Sequence, residues 1–270
     1  MTRGALSITS LTNFRVKELV ALRRRRQREA AELIVIEGYE ELTLALDAGV
    51  APLAVYYCPD LMHEPHEMAL LGRAVAVGAD AYETSRPVFE KAAYRESPDG
   101  WIATAAAPRT DLDRLDLTGT PMLLVCEGVE KPGNLGAMLR TADAAGVAGV
   151  IAADPVTDWG NPNVIRASKG TVFSVPVASG GPSDVLDRLH DHGIRVVSLT
   201  PATDRLIAHS DLTGPVAIAV GSEKYGLSDE WLARSDETVK IPMFGRADSL
   251  NVATSAAIAL YEAVRQRTTS

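Results

Sequence analysis

Ile241-Pro242-Met243-Phe244-Gly245-Arg246-Ala247-Asp248-Ser249-Leu250-Asn251-Val252-Ala253 decides how this chain is read. A strand-like run stops at Pro242. A polar loop with Gly245, Arg246, Asp248 and Ser249 follows, and Asn251 stands where a small, apolar helix begins (Ala253, Ala256, Ala257, Leu260, Tyr261, Val264). Ser and Asn are favoured helix N-caps, so capping alone accounts for Ser249 and Asn251. A polar loop between two buried elements is also where sites are built. The segment by itself leaves both readings open.

Working outward, the second part of the chain alternates strands and helices. Apolar runs predict strands at Met122–Cys126, Gly149–Ala152, Val172–Val175, Arg195–Leu199 and Val216–Val220, with a shorter one at Thr238–Ile241. Several are continuously apolar, as strands covered on both faces of a parallel sheet are. Helices are expected at Leu135–Ala145, Pro182–His192 and Asn251–Arg267. Ligands in such sheets bind beyond the carboxyl ends of the strands. The loops after Cys126, Val220 and Ile241 can therefore converge.

The first loop, Glu127-Gly128-Val129-Glu130-Lys131-Pro132-Gly133-Asn134-Leu135-Gly136, enters a helix that carries Arg140. Pro132-Gly133 is a turn signal and Asn134 a natural cap; an ion pair is the plain alternative role for Arg140. The loop matches neither the dinucleotide fingerprint nor a phosphate-binding P-loop. The second loop, Gly221-Ser222-Glu223-Lys224-Tyr225-Gly226-Leu227-Ser228, sets two glycines around a carboxylate, which favours close backbone approach to a ligand over a plain turn.

The first part, up to about Pro108, reads as a smaller α/β unit. A basic helix (Val16–Glu32) leads to a strand at Leu33–Ile36, a helix ending at Gly49 and a strand at Ala54–Cys58. A helix at Glu67–Gly72 and a short strand at Arg73–Val77 follow. The expected division is 1–105, a linker at 106–119, and 120–270.

The formal net charge of −8 over 270 residues argues against indiscriminate nucleic-acid binding. Yet Arg15, Lys17, Arg23, Arg24, Arg25, Arg26 and Arg28 face a single nearby acid, Glu18. That stripe is either a solvated helix face or the footprint of phosphate contact. Two scattered cysteines, Cys58 and Cys126, give neither a disulfide framework nor zinc spacing, which favours a reducing cytoplasm. His63 and His66 flank Glu64-Pro65 and read as a solvated loop rather than metal ligands. No apolar run is long enough to span a membrane, and Met1–Asn13 holds no signal-like apolar stretch.

Taken together, Glu130 to Ala142, Gly221-Ser222-Glu223 through Gly226-Leu227-Ser228, and Ile241-Pro242-Met243 through Ser249-Leu250-Asn251-Val252 resemble the SPOUT superfamily of RNA methyltransferases, in particular its SpoU/TrmH-type ribose 2′-O-methyltransferases. Arg166-Ala167-Ser168-Lys169-Gly170 also looks like a family element. The likeness covers about Thr120 to Arg267. One departure is Glu130-Lys131, where many members carry Asp before the Pro. The first part more distantly resembles the ribosomal-protein-like substrate domain of many members.

The resemblance implies an α/β fold with a trefoil-knotted C-terminal domain, a homodimer, and S-adenosylmethionine as cofactor with no metal. It implies cofactor contacts at Leu199, Thr200, Val220, Gly221, Ser222, Ile241, Met243 and Leu250. It implies catalytic roles for Asn134, Arg140, Glu223, Ser249 and Asn251, and RNA contacts at the basic stripe and Arg166. The substrate class it favours is rRNA, in particular 23S rRNA. A tRNA substrate, or a non-catalytic RNA-binding factor that keeps the fold, are the alternatives. A Rossmann oxidoreductase fails on its missing glycine fingerprint.

Overall fold

The computed structural model describes residues 6–269. They form two compact units, one comprising the chain up to Pro108 together with Trp159–Ser174, the other Arg109–Asp158 and Val175 onward.

In the first unit a five-stranded sheet is built from β1 (Leu6–Ile8), β2 (Leu33–Glu37), β3 (Ala54–Tyr57), β4 (Asp80–Thr84) and β5 (Trp101–Ala106), in the order β1-β4-β3-β5-β2. Strand β5 runs antiparallel to both neighbours. Helices α1 (Phe14–Ala21), α2 (Arg25–Ala31), α3 (Tyr39–Asp47), α4 (Met68–Ala76) and α5 (Arg86–Ala92) cover it. Ile8, Val35, Tyr56, Tyr82 and Ile102 join Val16, Leu19, Val88 and Phe89 of α1 and α5 in one core.

The expected basic helix is two helices. α1 stops at Ala21, and Arg24 is extended before α2 starts. The cause is Arg28, which is only 3% exposed. Its guanidinium donates to the carbonyls of Leu22 (3.0 Å) and Arg23 (2.9 Å), groups that a helix end leaves without partners. The strand expected at Arg73–Val77 is instead the second half of α4, because Leu70 and Ala74 bury one helical face. The strand lies further on, at Asp80–Thr84.

The second unit holds a six-stranded, wholly parallel sheet. Strand β6 (Met122–Glu127) leads through α6 (Pro132–Ala145) to β7 (Gly149–Ala153). The chain then departs to α7 (Pro162–Ala167), which belongs to the first unit and packs on β2. It returns as β8 (Val177–Gly180), α8 (Pro182–Asp191), β9 (Arg195–Leu199), β10 (Val216–Val220), α9 (Asp229–Arg234), β11 (Glu237–Val239) and α10 (Val252–Thr269). The order is β11-β9-β10-β6-β7-β8. The direction of winding therefore reverses between β6 and β10, which places a crevice at their carboxyl ends.

Val172–Val175, expected as a strand, is mostly a 3-10 turn over Thr171–Phe173. Hydroxyls there bond back to carbonyls three residues earlier: Ser168 to Ile165 (2.9 Å), Thr171 to Ser168 (2.9 Å) and Ser174 to Thr171 (3.2 Å). Such local bonds compete with a strand ladder. The stretch expected as a linker is partly core: Leu115 and Leu117 are buried against β6 and β7 residues. Helix α10 lies against α6 and β10, and its buried face is small (Ala256, Ala259, Ala263), so the two helices approach closely. Half-buried Arg267 fastens its end through the carbonyls of Thr120 (2.9 Å), Leu212 (3.0 Å) and Gly214 (2.6 Å).

Candidate functional site

Three loops leave the carboxyl ends of β6, β10 and β11. Glu127 closes β6 as a buried carboxylate, 4% exposed, and accepts the backbone N–H (2.7 Å) and the hydroxyl (2.6 Å) of Ser228. Ser228 in turn caps α9 through Trp231 N–H (3.1 Å). The β6 and β10 loops are thus tied at their bases. Sequence reasoning missed Glu127, whose signal is an acid ending an otherwise apolar strand.

The β10 loop is a tight turn. Ser222 and Gly226 exchange backbone hydrogen bonds of 3.0 Å, and Gly226 has φ +71°. A Cβ on Gly221 would stand 2.0 Å from the Gly226 carbonyl carbon. Gly221 is therefore required by its own loop, whose backbone folds onto it, and the expected close approach of a ligand is not needed to explain it.

Glu223 then meets the start of α6: Asn134 donates Nδ2 to Oε1 of Glu223. Asn251 donates Nδ2 to the free oxygen of Asn134 at 3.2 Å. The Asn251 oxygen accepts the N–H of Ala253 (2.9 Å) and Thr254 (3.4 Å), capping α10. Asn251 caps the helix and joins the polar chain at once. Glu223, Asn134 and Asn251 thus form one hydrogen-bonded line across the three loops. Ser249 is exposed beside them and bonds Asp248 at 3.0 Å. Arg140 is exposed on α6, and its guanidinium makes no hydrogen bond or ion pair among the described residues.

Of the residues expected at the cofactor, Leu199 and Thr200 end β9, Val220, Gly221 and Ser222 end β10, and Ile241 and Met243 follow β11. These are three neighbouring strands, so one edge of the sheet collects them. Leu199 and Ile241 are half-buried, and Met243 and Leu250 remain partly exposed. A cavity of about 420 Å³ also opens near these loops. Glu127, Glu130, Asp154 and Asp229 line it, and Asn134, Arg140 and Asn251 do not. Its carboxylates disfavour an anionic polymer, so it is a neighbour of the constellation rather than its centre. No cluster of three or more His, Cys, Asp or Glu among the described residues could hold a metal ion.

In the first unit the basic stripe divides. Arg28 is buried, and Arg23 donates to the carbonyls of Lys91 (2.8 Å) and Ala93, so both hold the fold together. Arg28 is thereby removed from the expected RNA surface. Arg25 is paired with Glu29 at 2.7 Å. Lys17, Arg24 and Arg26 are exposed. Arg166 is exposed on α7 and donates to Asn163 (3.0 Å), which donates to the Tyr94 hydroxyl (3.2 Å).

Against this geometry, residues 121–261 match the model of the SpoU rRNA methylase family. The chain belongs to that family. Residues 13–103 match the MRM3-like substrate binding domain. A 23S rRNA (uridine(2479)-2′-O)-methyltransferase of Streptomyces viridochromogenes is 34% identical over 98% of this SpoU-family chain and 94% of its own length. The AdoMet-bound rRNA methyltransferase of Sinorhizobium meliloti superposes with a TM-score of 0.89 at 30% identity, covering 97% of this chain and 98% of its own. An RNA 2′-O ribose methyltransferase structure gives 0.84 at 41% identity, covering 97% and 100%.

Proposed function

We propose that this chain transfers the methyl group of S-adenosylmethionine to a ribose 2′-hydroxyl of rRNA, 23S rRNA by likeness to its relatives, and works as a homodimer. The observation that carries this reading is the Glu223–Asn134–Asn251 hydrogen-bonded line, assembled from three loops at the switch point of a SpoU-family sheet. The proposed slot for the cofactor is the edge formed by the ends of β9, β10 and β11. Its half-buried apolar side chains, Leu199 and Ile241 with Leu250 and Met243 at the rim, suit an adenine-bearing ligand.

When bound, S-adenosylmethionine supplies an electrophilic methyl group on a positively charged sulfur. A ribose hydroxyl is a poor nucleophile, so the protein's work is to position it and provide for its proton. Arginine holds its proton under ordinary conditions and makes a poor base. Arg140 instead grips the phosphate next to the target ribose, a role supported by its guanidinium having no partner among the described residues, and the proton leaves to phosphate or water. Glu223 fixes the rotamer of Asn134, and Asn251 with Ser249 holds the ribose.

The dimer is supported by α10, which leaves Ile258 and Tyr261 exposed on successive turns. The threading of α10 through the loops expected of the fold belongs to the same reading. So does a cytoplasmic location, where rRNA is made in the bacterial relatives; no helix among the described residues is long and apolar enough to cross a membrane.

The test is transfer of a tritiated methyl group to total RNA, followed by mapping of the 2′-O-methyl position. Label in 23S rRNA is the expected result. Label confined to tRNA, or none, overturns the substrate or the activity. Light scattering should return twice the chain mass; a monomer overturns the homodimer.

A further inference from the structure

The first unit carries a stack of aromatic and guanidinium side chains running from its core to its surface. The Arg15 guanidinium carbon lies 4.7 Å from the centre of the Phe14 ring and 4.5 Å from that of Tyr82. Tyr82 stacks on Tyr56 with ring centres 5.1 Å apart. Tyr56 and Tyr82 are buried in the core, so the stack is anchored from below. At its other end Phe14 is 59% exposed on the first turn of α1, with Leu6 and Leu11 also 65% and 43% exposed. The Arg15 guanidinium makes no hydrogen bond or ion pair among the described residues, and cation–π contact with the two rings orients its plane. A half-buried guanidinium normally directs its five N–H groups at acceptors; none is found for it among the described residues.

We propose that Phe14 and Arg15 form a platform for an unpaired stretch of the RNA substrate, the exposed Phe14 face stacking on a base and Arg15 donating to the adjoining phosphate. The inference rests on the RNA reading above and adds to it where a single-stranded segment seats. Unpaired bases are held on aromatic faces and on arginine planes, with cations following the backbone. Charge selects this occupant over a second copy of an acidic chain: Lys17 on α1, Arg24 at the cap of α2 and Arg26 on α2 are exposed, in a protein of net charge −8.

The experiment measures binding of a fluorescently labelled, unstructured mixed-sequence RNA oligonucleotide to the full chain over a salt series. Loss of base stacking should weaken Phe14→Ala by about fivefold to 150-fold and leave the salt slope unchanged, because a neutral contact releases no counterion. Arg15→Gln should weaken binding and flatten that slope by about 0.7. Phe14→Trp should bind like wild type, with its added emission quenched by RNA. Phe14→Ala binding within twofold of wild type, with Phe14→Trp emission unmoved, overturns the platform. Unchanged affinity with conversion of a dimer to a monomer reassigns the patch to self-association. Methyl transfer by the wild type in parallel separates the two readings: a wild type that methylates rRNA with an inert Phe14 sinks only the platform, and one that neither binds nor methylates RNA sinks both.

Discussion

Asn134 and Glu223 are 89 residues apart in sequence and share a hydrogen bond, the amide of one donating to the carboxylate of the other. The bond fixes which way Asn134 faces, since only its Nδ2 can donate, and so presents its oxygen to Asn251. Glu223→Gln permits a flipped amide and removes the charge that strengthens the bond. We expect kcat to fall on the order of tenfold, with the dissociation constant for S-adenosylmethionine nearly unchanged. Single-turnover methylation and calorimetry check this. A loss in cofactor affinity with intact kcat would place Glu223 in the cofactor pocket instead.

Arg140 tests the phosphate clamp. Lysine keeps the charge of Arg140 and loses its planar fork. Arg140→Lys should therefore lower kcat/KM by about tenfold or more, while cofactor binding stays intact. Methylation at the wild-type rate would rule out a bidentate grip.

Gly221 separates loop geometry from ligand approach. A methyl group at this position meets the backbone of Gly226 and Leu227, which cannot swing aside as a side chain would. Gly221→Ala should deform the β10 loop, weaken S-adenosylmethionine binding by tenfold or more, and lower the thermal midpoint of the second unit. Calorimetry and thermal unfolding read the two effects. Unchanged affinity at Gly221→Ala would place the cofactor away from this loop.

Strands β6 and β10 were legible because both are buried along their whole length and, apart from Glu127 at the end of β6, continuously apolar. Two of the site loops were legible because each follows such a strand, and the third, after the short and partly polar β11, because Pro242 stops the strand and polar residues with no core role follow. The arginine run was not. Arg23 and Arg28 read like their neighbours, and only the tertiary positions of the Leu22, Lys91 and Ala93 carbonyls make them structural. Val172–Val175 misled for a related reason: strand propensity lost to Ser168, Thr171 and Ser174 bonding locally to their own turn. The excursion Trp159–Ser174 into the first unit left no trace in periodicity at all.

The divided stripe makes opposite predictions for arginines four or fewer residues apart. Arg24→Gln with Arg26→Gln should leave the thermal midpoint unmoved and reduce the salt slope of RNA binding by about 1.4 to 1.8. Arg28→Gln strands buried carbonyls, and should cost about 1–3 kcal/mol of stability without a change in that slope. Thermal unfolding and a salt titration on the same three proteins decide it. A salt slope that responds to Arg28 and ignores Arg24 and Arg26 would invert the assignment.

The cysteines offer a check on the packing itself. Cys58 and Cys126 are both buried and free, and Cys126 lies 3.8 Å from the Met138 sulfur between β6 and α6. Burial pushes both thiols above their ordinary value, Cys126 far more than Cys58. The reactive form is the thiolate, and a raised pKa lowers its fraction at any given pH. Neither cysteine should react with a disulfide reagent at pH 8 in the native protein, and both should react once denaturant is added. Rapid labelling of Cys126 under native conditions would mean that α6, and with it Asn134 and Arg140, is not packed on β6 as described.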